Sequence, residues 1–170
     1  MDDAKNILKT GIDIERNGLI KYLDFAVMTK DETGKNMFIK LARDEFSHME
    51  TLDNQLKNLM CGNIWVCEDI PKSVIEKLAP KLRDIDKIKS ADGTDELSAL
   101  KIALDMEKRS ISFYSDGKKK IKNAEAEKIF DRIIEMEESH YDLIQAEIDH
   151  IETTGFWFGI REFTLEGERE

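Results

Sequence analysis

Apolar residues recur at steps of three and four along four segments of the chain, a spacing that places them on one face of a helix. We expect a first helix over about residues 3–29 and a second from a turn at 31–34 to about residue 60. A third helix should begin after Thr94, whose side chain can cap it, and end before a turn at Lys122 and Asn123. The fourth should span about residues 124–154, because Gly155 is a favourable C-terminal stop.

The lengths of the connections predict how these helices pair. The connections within the first pair and within the second pair are short, so each pair should form an antiparallel hairpin. Residues 61–93 separate the hairpins, contain Pro71 and Pro80, and have room for a short helix at about 72–78. A connection of this length can run back along a bundle. The sequence therefore predicts an all-α four-helix bundle over residues 1–154 with a long crossover, followed by an aromatic tail at 155–170 that docks on the bundle or on a partner subunit.

Polar residues interrupt the four apolar faces at positions that repeat along the chain. Each half carries a lone Glu followed 30 residues later by a Glu-x-x-His, and the second set lies 92 positions after the first. The repeated residues are Glu15, Tyr22, Glu45 and His48 in the first half and Glu107, Tyr114, Glu137 and His140 in the second. Two helix pairs with this pattern place four carboxylates and two imidazoles around a pair of metal ions.

The chemistry of these residues supports a metal site. An ionised carboxylate that is buried without a partner is very costly, and no Lys or Arg occupies the inward positions. Two divalent cations would neutralise the four carboxylates. Residues i and i+3 lie on one helix face, so the Glu and His of each motif can reach the same metal. Carboxylate and imidazole ligands suit two iron ions, with manganese or a mixed pair as alternatives.

Tyr22 and Tyr114 stand two turns beyond Glu15 and Glu107 on the same helix faces. Their hydroxyl groups can hydrogen-bond to the ligand carboxylates or orient a substrate at the metals, which would make them part of the reactive site. The alternative is that they are core aromatics whose polar tips found some other partner.

Other reactive residue types are explained more simply. Cys61 and Cys67 are too few for a disulfide scaffold, and we interpret them as ordinary thiols rather than as a redox pair or an iron site shared by two chains. His150 lies off the inward face and is predicted to be a surface histidine. Lys118, Lys119 and Lys120 form a basic run that suits the C-terminal end of a helix.

Composition and charge exclude several classes of protein. The 170 residues are 41% hydrophobic and 36% charged, with a formal net charge of −10, which is typical of a globular protein. An acidic surface argues against nucleic acid or an anionic membrane as partner. No segment approaches the length of a membrane span, and the N-terminus does not resemble a signal peptide, so we expect a cytoplasmic protein.

The repeated motifs resemble the ferritin-like superfamily and, within it, the rubrerythrin family. The resemblance covers nearly the whole chain and rests on Glu15-x6-Tyr22, Glu45-Phe-Ser-His48, Glu107-x6-Tyr114 and Glu137-Glu-Ser-His140. It implies a ferritin-like bundle in which Glu15 and Glu107 are terminal ligands, while Glu45 and Glu137 bridge two iron ions. It also implies a peroxidase that reduces hydrogen peroxide with electrons from a rubredoxin-type centre.

Two features depart from the family pattern. The 170 residues contain no paired Cys-x-x-Cys motifs of the rubredoxin type, so the electron donor would be a separate rubredoxin-like protein. Rubrerythrins also tend to carry an extra Glu one turn after the third-helix ligand, to which one iron moves on oxidation. Here that position is Ser110, which puts the iron movement in doubt and brings the site closer to the six-ligand set of ferroxidases and bacterioferritins.

Four functions therefore stay open on the sequence alone. The first is a di-iron peroxidase, most simply a homodimer served by an external donor. The second is ferroxidase or iron-storage activity, which would require a cage. The third is a di-iron oxidase, which would require a pocket for an organic substrate beside the metals. In the fourth, the metals only stabilise the bundle.

Overall fold

The computed structural model describes residues 2–62, 64–66, 72–73, 75–76 and 94–157. Its helices are α1 (Asp2–Met28), α2 (Glu32–Cys61), α3 (Thr94–Lys120) and α4 (Ala124–Thr154). They form a four-helix bundle with a long connection between α2 and α3, which confirms the predicted all-α fold class. No helix in the described ranges is both long and apolar enough to cross a membrane.

Side-chain caps determine where the helices begin and end. The turn predicted at 31–34 is wrong in detail, because the Asp31 carboxylate accepts a hydrogen bond from the Gly34 N–H and α2 already begins at Glu32. Asn123 caps α4 in the same way through the Ala126 N–H. Gly155 ends α4 in the left-handed conformation, with φ 77°, as the sequence predicted.

Both helix pairs are antiparallel hairpins. The residue numbers of contacting positions rise along one helix as they fall along the other. In the first hairpin, Gly11 of α1 faces Leu52 of α2, and Gly18 faces Glu45. The second hairpin has ion pairs on its outside that join Lys101 to Glu152 and Lys118 to Asp131. This arrangement matches the prediction from the short connections.

The core consists of two apolar clusters with a polar layer between them. One cluster contains Phe25 and Phe38, and the other contains Leu8 and Phe130. All four helices contribute to both clusters, so each helix passes from one cluster to the other near its middle. The predicted metal ligands lie at these crossing points. The two apolar clusters therefore enclose a layer of ionisable side chains. Burying such side chains without partners would be unfavourable.

Parts of the connection and of the tail lie within the described residues. Of the short helix predicted at 72–78, Ile75 and Glu76 are helical, and most of the remainder lies outside the described residues. At the start of the tail, the Trp157 indole packs on Phe38 and donates a hydrogen bond of 2.8 Å to Glu96. A Cβ atom at Gly34 would come within 2.5 Å of the indole, so only glycine fits beneath it. The tail thus begins on the bundle, while residues 158–170 lie outside the described ranges.

Candidate metal centre

Six of the predicted side chains meet in the polar layer and form two overlapping clusters. One cluster consists of Glu15, Glu45, His48 and Glu137, and the other of Glu45, Glu107, Glu137 and His140. Within each cluster, one ligand atom per residue lies within 4.8 Å of all the others, and every residue is buried. Glu45 and Glu137 belong to both clusters. They stand where bridging ligands would lie, while Glu15 and Glu107 stand at the two ends.

The two halves of the chain meet around a pseudo-twofold axis. His48 Nδ1 lies 2.8 Å from Glu137 Oε1, and the equivalent atoms 92 positions away, His140 Nδ1 and Glu45 Oε1, are 3.4 Å apart. The two imidazole rings stack with their centroids 5.4 Å apart and their planes inclined by 16°. Each histidine therefore reaches the shared carboxylate of the opposite hairpin, so neither hairpin holds a complete site by itself.

The two tyrosines connect the hairpins in the same reciprocal way. The Tyr22 hydroxyl donates to Glu107, and the Tyr114 hydroxyl donates to Glu15. Burial raises the pKa of each phenol well above its usual value, and the carboxylate that it faces raises it further. Both hydroxyls therefore keep their protons at neutral pH and act as donors. They orient the two end carboxylates, one of the roles that the sequence suggested for them.

The crowded charges shift the ionisation of the carboxylates in opposite directions. Burial raises the pKa values of Glu45 and Glu107 well above the usual carboxyl value, and the charge of Glu137 raises both further. Burial also acts to raise the pKa of Glu15, but hydrogen bonds with Glu45 and His48 lower it overall. Burial alone would lower the pKa of His48, whereas its contacts with Glu137 and Glu15 raise it well above its usual value. Without a cation, the centre therefore balances its excess carboxylates by binding protons.

The chemistry of the donor set fits a pair of metal ions. His140 Nδ1 and Glu137 Oε2 are buried and have no hydrogen bond within the described part of the chain. His140 Nε2 lies 3.3 Å from an Asp44 carboxylate oxygen, which can only accept a hydrogen bond when ionised. With a metal bound, a ring proton held at Nε2 by Asp44 would leave the lone pair of Nδ1 directed into the cluster, as metal binding requires. No described Lys or Arg forms an ion pair with the six residues.

Asp44 contacts a clustered histidine, and the sequence pattern did not single it out. Burial would raise its pKa, but the hydrogen bond and the charge of His140 lower it, which keeps the carboxylate ionised. The position 92 residues later is Met136, so the second half has no equivalent carboxylate there. The only sequence signal for Asp44 was its position directly before Glu45. The 92-residue repeat that identified the other residues does not include it.

The long connection is attached next to this site. Ser73 and Glu76 form a capping box, in which the Glu76 carboxylate accepts from the Ser73 N–H at 2.9 Å and the Ser73 hydroxyl accepts from the Glu76 N–H at 3.3 Å. Arg132 of α4 binds both oxygens of Glu76. The Ser73 side chain also lowers the pKa of the Asp44 carboxyl group. The connection therefore lies beside the carboxylate that contacts His140.

The other candidate residues lie away from the centre. Cys61 is an exposed free thiol, and Cys67 falls outside the described residues. His150 belongs to neither cluster; it is half-buried, and this burial lowers its pKa. The basic run at 118–120 occupies the last turn of α3, where the sequence placed it.

Comparison with known protein families agrees with this geometry. The rubrerythrin family model matches residues 6–148, which include all six clustered residues and both tyrosines. Searches of curated proteins and of solved structures found no significant match. The bundle with its long α2–α3 connection is consistent with a ferritin-like fold, and its two buried Glu/His clusters fit a dinuclear metal centre. On the family match, the chain belongs to the rubrerythrin family.

Proposed function

We propose that this protein is a non-haem di-iron peroxidase that reduces hydrogen peroxide to water with electrons from an external donor. The observation that carries the proposal is the sharing of Glu45 and Glu137 between two buried Glu/His clusters. Carboxylate-rich sites with one imidazole per metal suit iron and, as an alternative, manganese. Two ferrous ions held there would supply two electrons and Lewis-acid stabilisation for cleavage of the O–O bond.

The chain itself would hold the metals and control the surroundings of the reaction. Glu15, Glu45 and His48 would come from the first hairpin, and Glu107, Glu137 and His140 from the second. Their burial excludes bulk water, which strengthens every electrostatic interaction in the site. The tyrosine hydroxyls would keep the end carboxylates in place through their hydrogen bonds.

The balance of the reaction defines what else is needed. Hydrogen peroxide takes up two electrons and two protons to give two water molecules, so the oxidised centre needs two electrons for each turnover. No cysteine belongs to the described metal clusters, so we propose a separate rubredoxin-like protein as the donor. We further propose that the protein acts as a homodimer in the cytoplasm.

The decisive experiment compares two oxidants. Protein loaded anaerobically with two ferrous ions per chain is mixed rapidly with one equivalent of hydrogen peroxide or of oxygen, and near-ultraviolet absorbance reports ferric iron. We expect much faster oxidation by peroxide, followed by re-reduction when a reduced rubredoxin is added. Faster oxidation by oxygen would contradict the peroxidase proposal.

A ferroxidase or iron-handling function is the second candidate. It is favoured by Ser110, which occupies the position where the family tends to carry an additional Glu, so the described cluster has six ligands. This function predicts rapid oxidation by oxygen, release or deposition of ferric iron, and a large cage in sedimentation experiments. A dimer that oxidises two ferrous ions and retains them would argue against storage.

A further inference from the structure

A row of aromatic side chains runs from the metal centre toward the surface through one apolar cluster of the core. The Tyr22 hydroxyl donates to Glu107, and the Tyr22 ring stacks on that of Phe38 with centroids 6.1 Å apart. Phe38 in turn contacts Trp157 edge-on, with centroids 5.9 Å apart. Both separations are typical of aromatic rings in contact. Tyr22, Phe38 and Trp157 thus form a continuous path from a ligand carboxylate to an indole, the first aromatic row.

The other apolar cluster contains an equivalent second aromatic row. The Tyr114 hydroxyl donates to Glu15, and the centroid of the Tyr114 ring lies 6.1 Å from that of Phe130. The Phe130 centroid lies 6.1 Å from that of Trp65. Every member of this row stands 92 positions from its counterpart in the first row. The repeat therefore includes both complete rows as well as the metal ligands.

The residue types at the two ends of each row suit electron transfer. Phenol and indole side chains lose one electron far more readily than a benzene ring does, and a packed benzene ring between them shortens the gap that the electron crosses. The protein has two tryptophans, three tyrosines and eight phenylalanines. Both tryptophans and two of the tyrosines stand at the ends of the rows. Packing alone does not require that each row begin with a phenol and end with an indole.

Burial increases along each row from the indole to the phenol. The tyrosine and the phenylalanine of each row have no exposed surface. Trp157 and Trp65, in contrast, are half-buried in the described part of the chain. The Trp157 indole N–H also donates to Glu96 at 2.8 Å, so a carboxylate stands ready to accept its proton when the ring is oxidised. Of the described rings in each row, only the indole is open to a molecule in solution.

We propose that the two aromatic rows carry electrons from a soluble reductant to the metal centre when peroxide arrives and the electrons held by the metals are spent. Each tyrosine gives one electron to the centre while its hydroxyl proton passes to the carboxylate that it faces. The tyrosine then takes an electron from the tryptophan across the phenylalanine and recovers its proton. A thiolate or another one-electron donor restores the indole.

The electrons balance between the two rows and one molecule of peroxide. Peroxide needs two electrons and two protons to become water, so each row supplies one electron and solvent supplies the protons. Two molecules of the external reductant lose one electron each, and all rings end unchanged. This role rests on the proposed function, because an oxidised metal pair is what draws electrons from the tyrosines. The path itself is a property of the rings and is testable without a redox-active metal.

The first test measures radical transfer in the full-length protein loaded with zinc, which has no redox chemistry of its own. Azide radicals from pulse radiolysis oxidise accessible indoles, and time-resolved absorbance distinguishes indolyl from phenoxyl radicals. The parent protein carries Cys61→Ser and Cys67→Ser, so that no thiol traps the radical. It also carries Tyr141→Phe, which leaves Tyr22 and Tyr114 as its only phenols. We expect indolyl absorbance to decay as phenoxyl absorbance rises, at a rate independent of protein concentration.

Single-tryptophan variants of this parent assign each indole to its tyrosine. With Trp65→Phe, only the indole of the first row remains, so phenoxyl formation should be lost in Tyr22→Phe and kept in Tyr114→Phe. With Trp157→Phe, only the indole of the second row remains, and this dependence should be reversed. The two tyrosine variants are matched controls for each other, because they make the same exchange at equivalent buried positions. Circular dichroism checks that each variant compared is folded.

The second test measures transfer from the metal centre. Ferrous protein is mixed with an excess of peroxide without any donor, and freeze-quenched samples are examined by electron paramagnetic resonance. We expect a radical on aromatic side chains. An added thiol should shorten the lifetime of this radical in the wild type, but not in the double variant Trp65→Phe/Trp157→Phe, whose tyrosines have no indole to pass the radical to.

Four results would overturn the proposal. These are indolyl decay without phenoxyl formation in the parent, phenoxyl formation that survives loss of the tyrosine in the same row, transfer that is equally fast after unfolding in guanidinium, and peroxide oxidation of the iron without any aromatic radical. Rings that serve packing alone would give the first or the last of these. Failure of peroxide to oxidise the ferrous protein would contradict the proposed function but would leave the radical transfer in the zinc protein unaffected.

Discussion

Replacing Glu45 with glutamine should have opposite effects on the metal-free and the metal-loaded protein. Glu45 belongs to both clusters, and its ligand oxygen lies within 4.8 Å of those of three other carboxylates. At that distance and an effective dielectric constant of about 20, two ionised carboxylates repel each other by about 3 kcal/mol. Burial and this repulsion raise the pKa of Glu45, so keeping it either ionised or protonated at neutral pH costs free energy that glutamine does not. The His48 imidazole, whose pKa is raised well above its usual value, offsets part of this cost with its positive charge. We therefore expect Glu45→Gln to raise the free energy of unfolding of the metal-free protein by about 1–3 kcal/mol.

Metal binding should reverse the order of stability. A ligand at 100 times its Kd stabilises the folded state by about 2.7 kcal/mol, so two ions at that excess would contribute about 5 kcal/mol to the wild type. Glutamine retains the shape of Glu45 but removes the charged oxygen that both ions would share. The variant should therefore lose most of the metal-dependent stabilisation and become the less stable of the two proteins in the presence of iron.

The assay is guanidinium unfolding followed by circular dichroism, with and without ferrous iron under anaerobic conditions. Glu50→Gln is the matched control, because Glu50 is an exposed residue on the same helix and the exchange is identical. Its stability should change by less than about 0.5 kcal/mol in both conditions. If Glu45→Gln binds two ferrous ions as tightly as the wild type does, the assignment of Glu45 as a shared ligand is refuted.

Three further changes test the surroundings of the centre. Asp44→Asn should weaken metal binding at the site that contains His140 by about 10–100-fold, as measured in a competition titration. Equal weakening of both metal sites would contradict the structure. Tyr22→Phe and Tyr114→Phe should each lower the free energy of unfolding of the metal-free protein by about 2 kcal/mol, because each leaves one end carboxylate without its donor. Denaturation curves that show no loss in either variant would contradict these hydrogen bonds between the hairpins. Burial acts to raise the pKa of Glu76, but the ion pair with Arg132 lowers it overall. The ionised carboxylate therefore stabilises the fold above the usual carboxyl pKa, and this stabilisation is lost as the pH falls through the lowered pKa. Glu76→Gln should cost about 2 kcal/mol at neutral pH, and unfolding curves should show this difference disappearing in acid.

Most of the fold was predictable because the local signals agree with one another. The apolar spacing, the turn at Lys122 and Asn123 and the glycine stop all indicate the same boundaries for α4, which the structure gives as Ala124–Thr154. The start of α2 was misjudged because Asp31, Thr33 and Gly34 resemble a turn when they are read as single residues. In the structure Asp31 caps the helix, and Gly34 is needed to make room for Trp157, a contact across 123 positions that no local pattern reveals.

The ligand set was predictable for a different reason, namely that it is repeated. Carboxylates and histidines at inward positions are improbable in a core, and their recurrence 92 residues later indicated a shared site. The sequence also suggested that the tyrosines contact ligand carboxylates. It did not reveal that Tyr22 binds Glu107 and Tyr114 binds Glu15, because that exchange depends on how the two hairpins pack together.

The asymmetry of the site was not predicted because it is not part of the repeat. A repeat reveals what two halves have in common, whereas Asp44 and Met136 occupy equivalent positions and differ. The His140 end of the centre therefore has a carboxylate 3.3 Å from the imidazole, and the equivalent sequence position in the other half is a methionine. A carboxylate partner makes an imidazole a stronger metal ligand, so the two ions should differ in affinity and in ease of oxidation. We therefore expect two bound ions to differ although the six repeated residues are the same in type, because Asp44 and Met136 differ beside them.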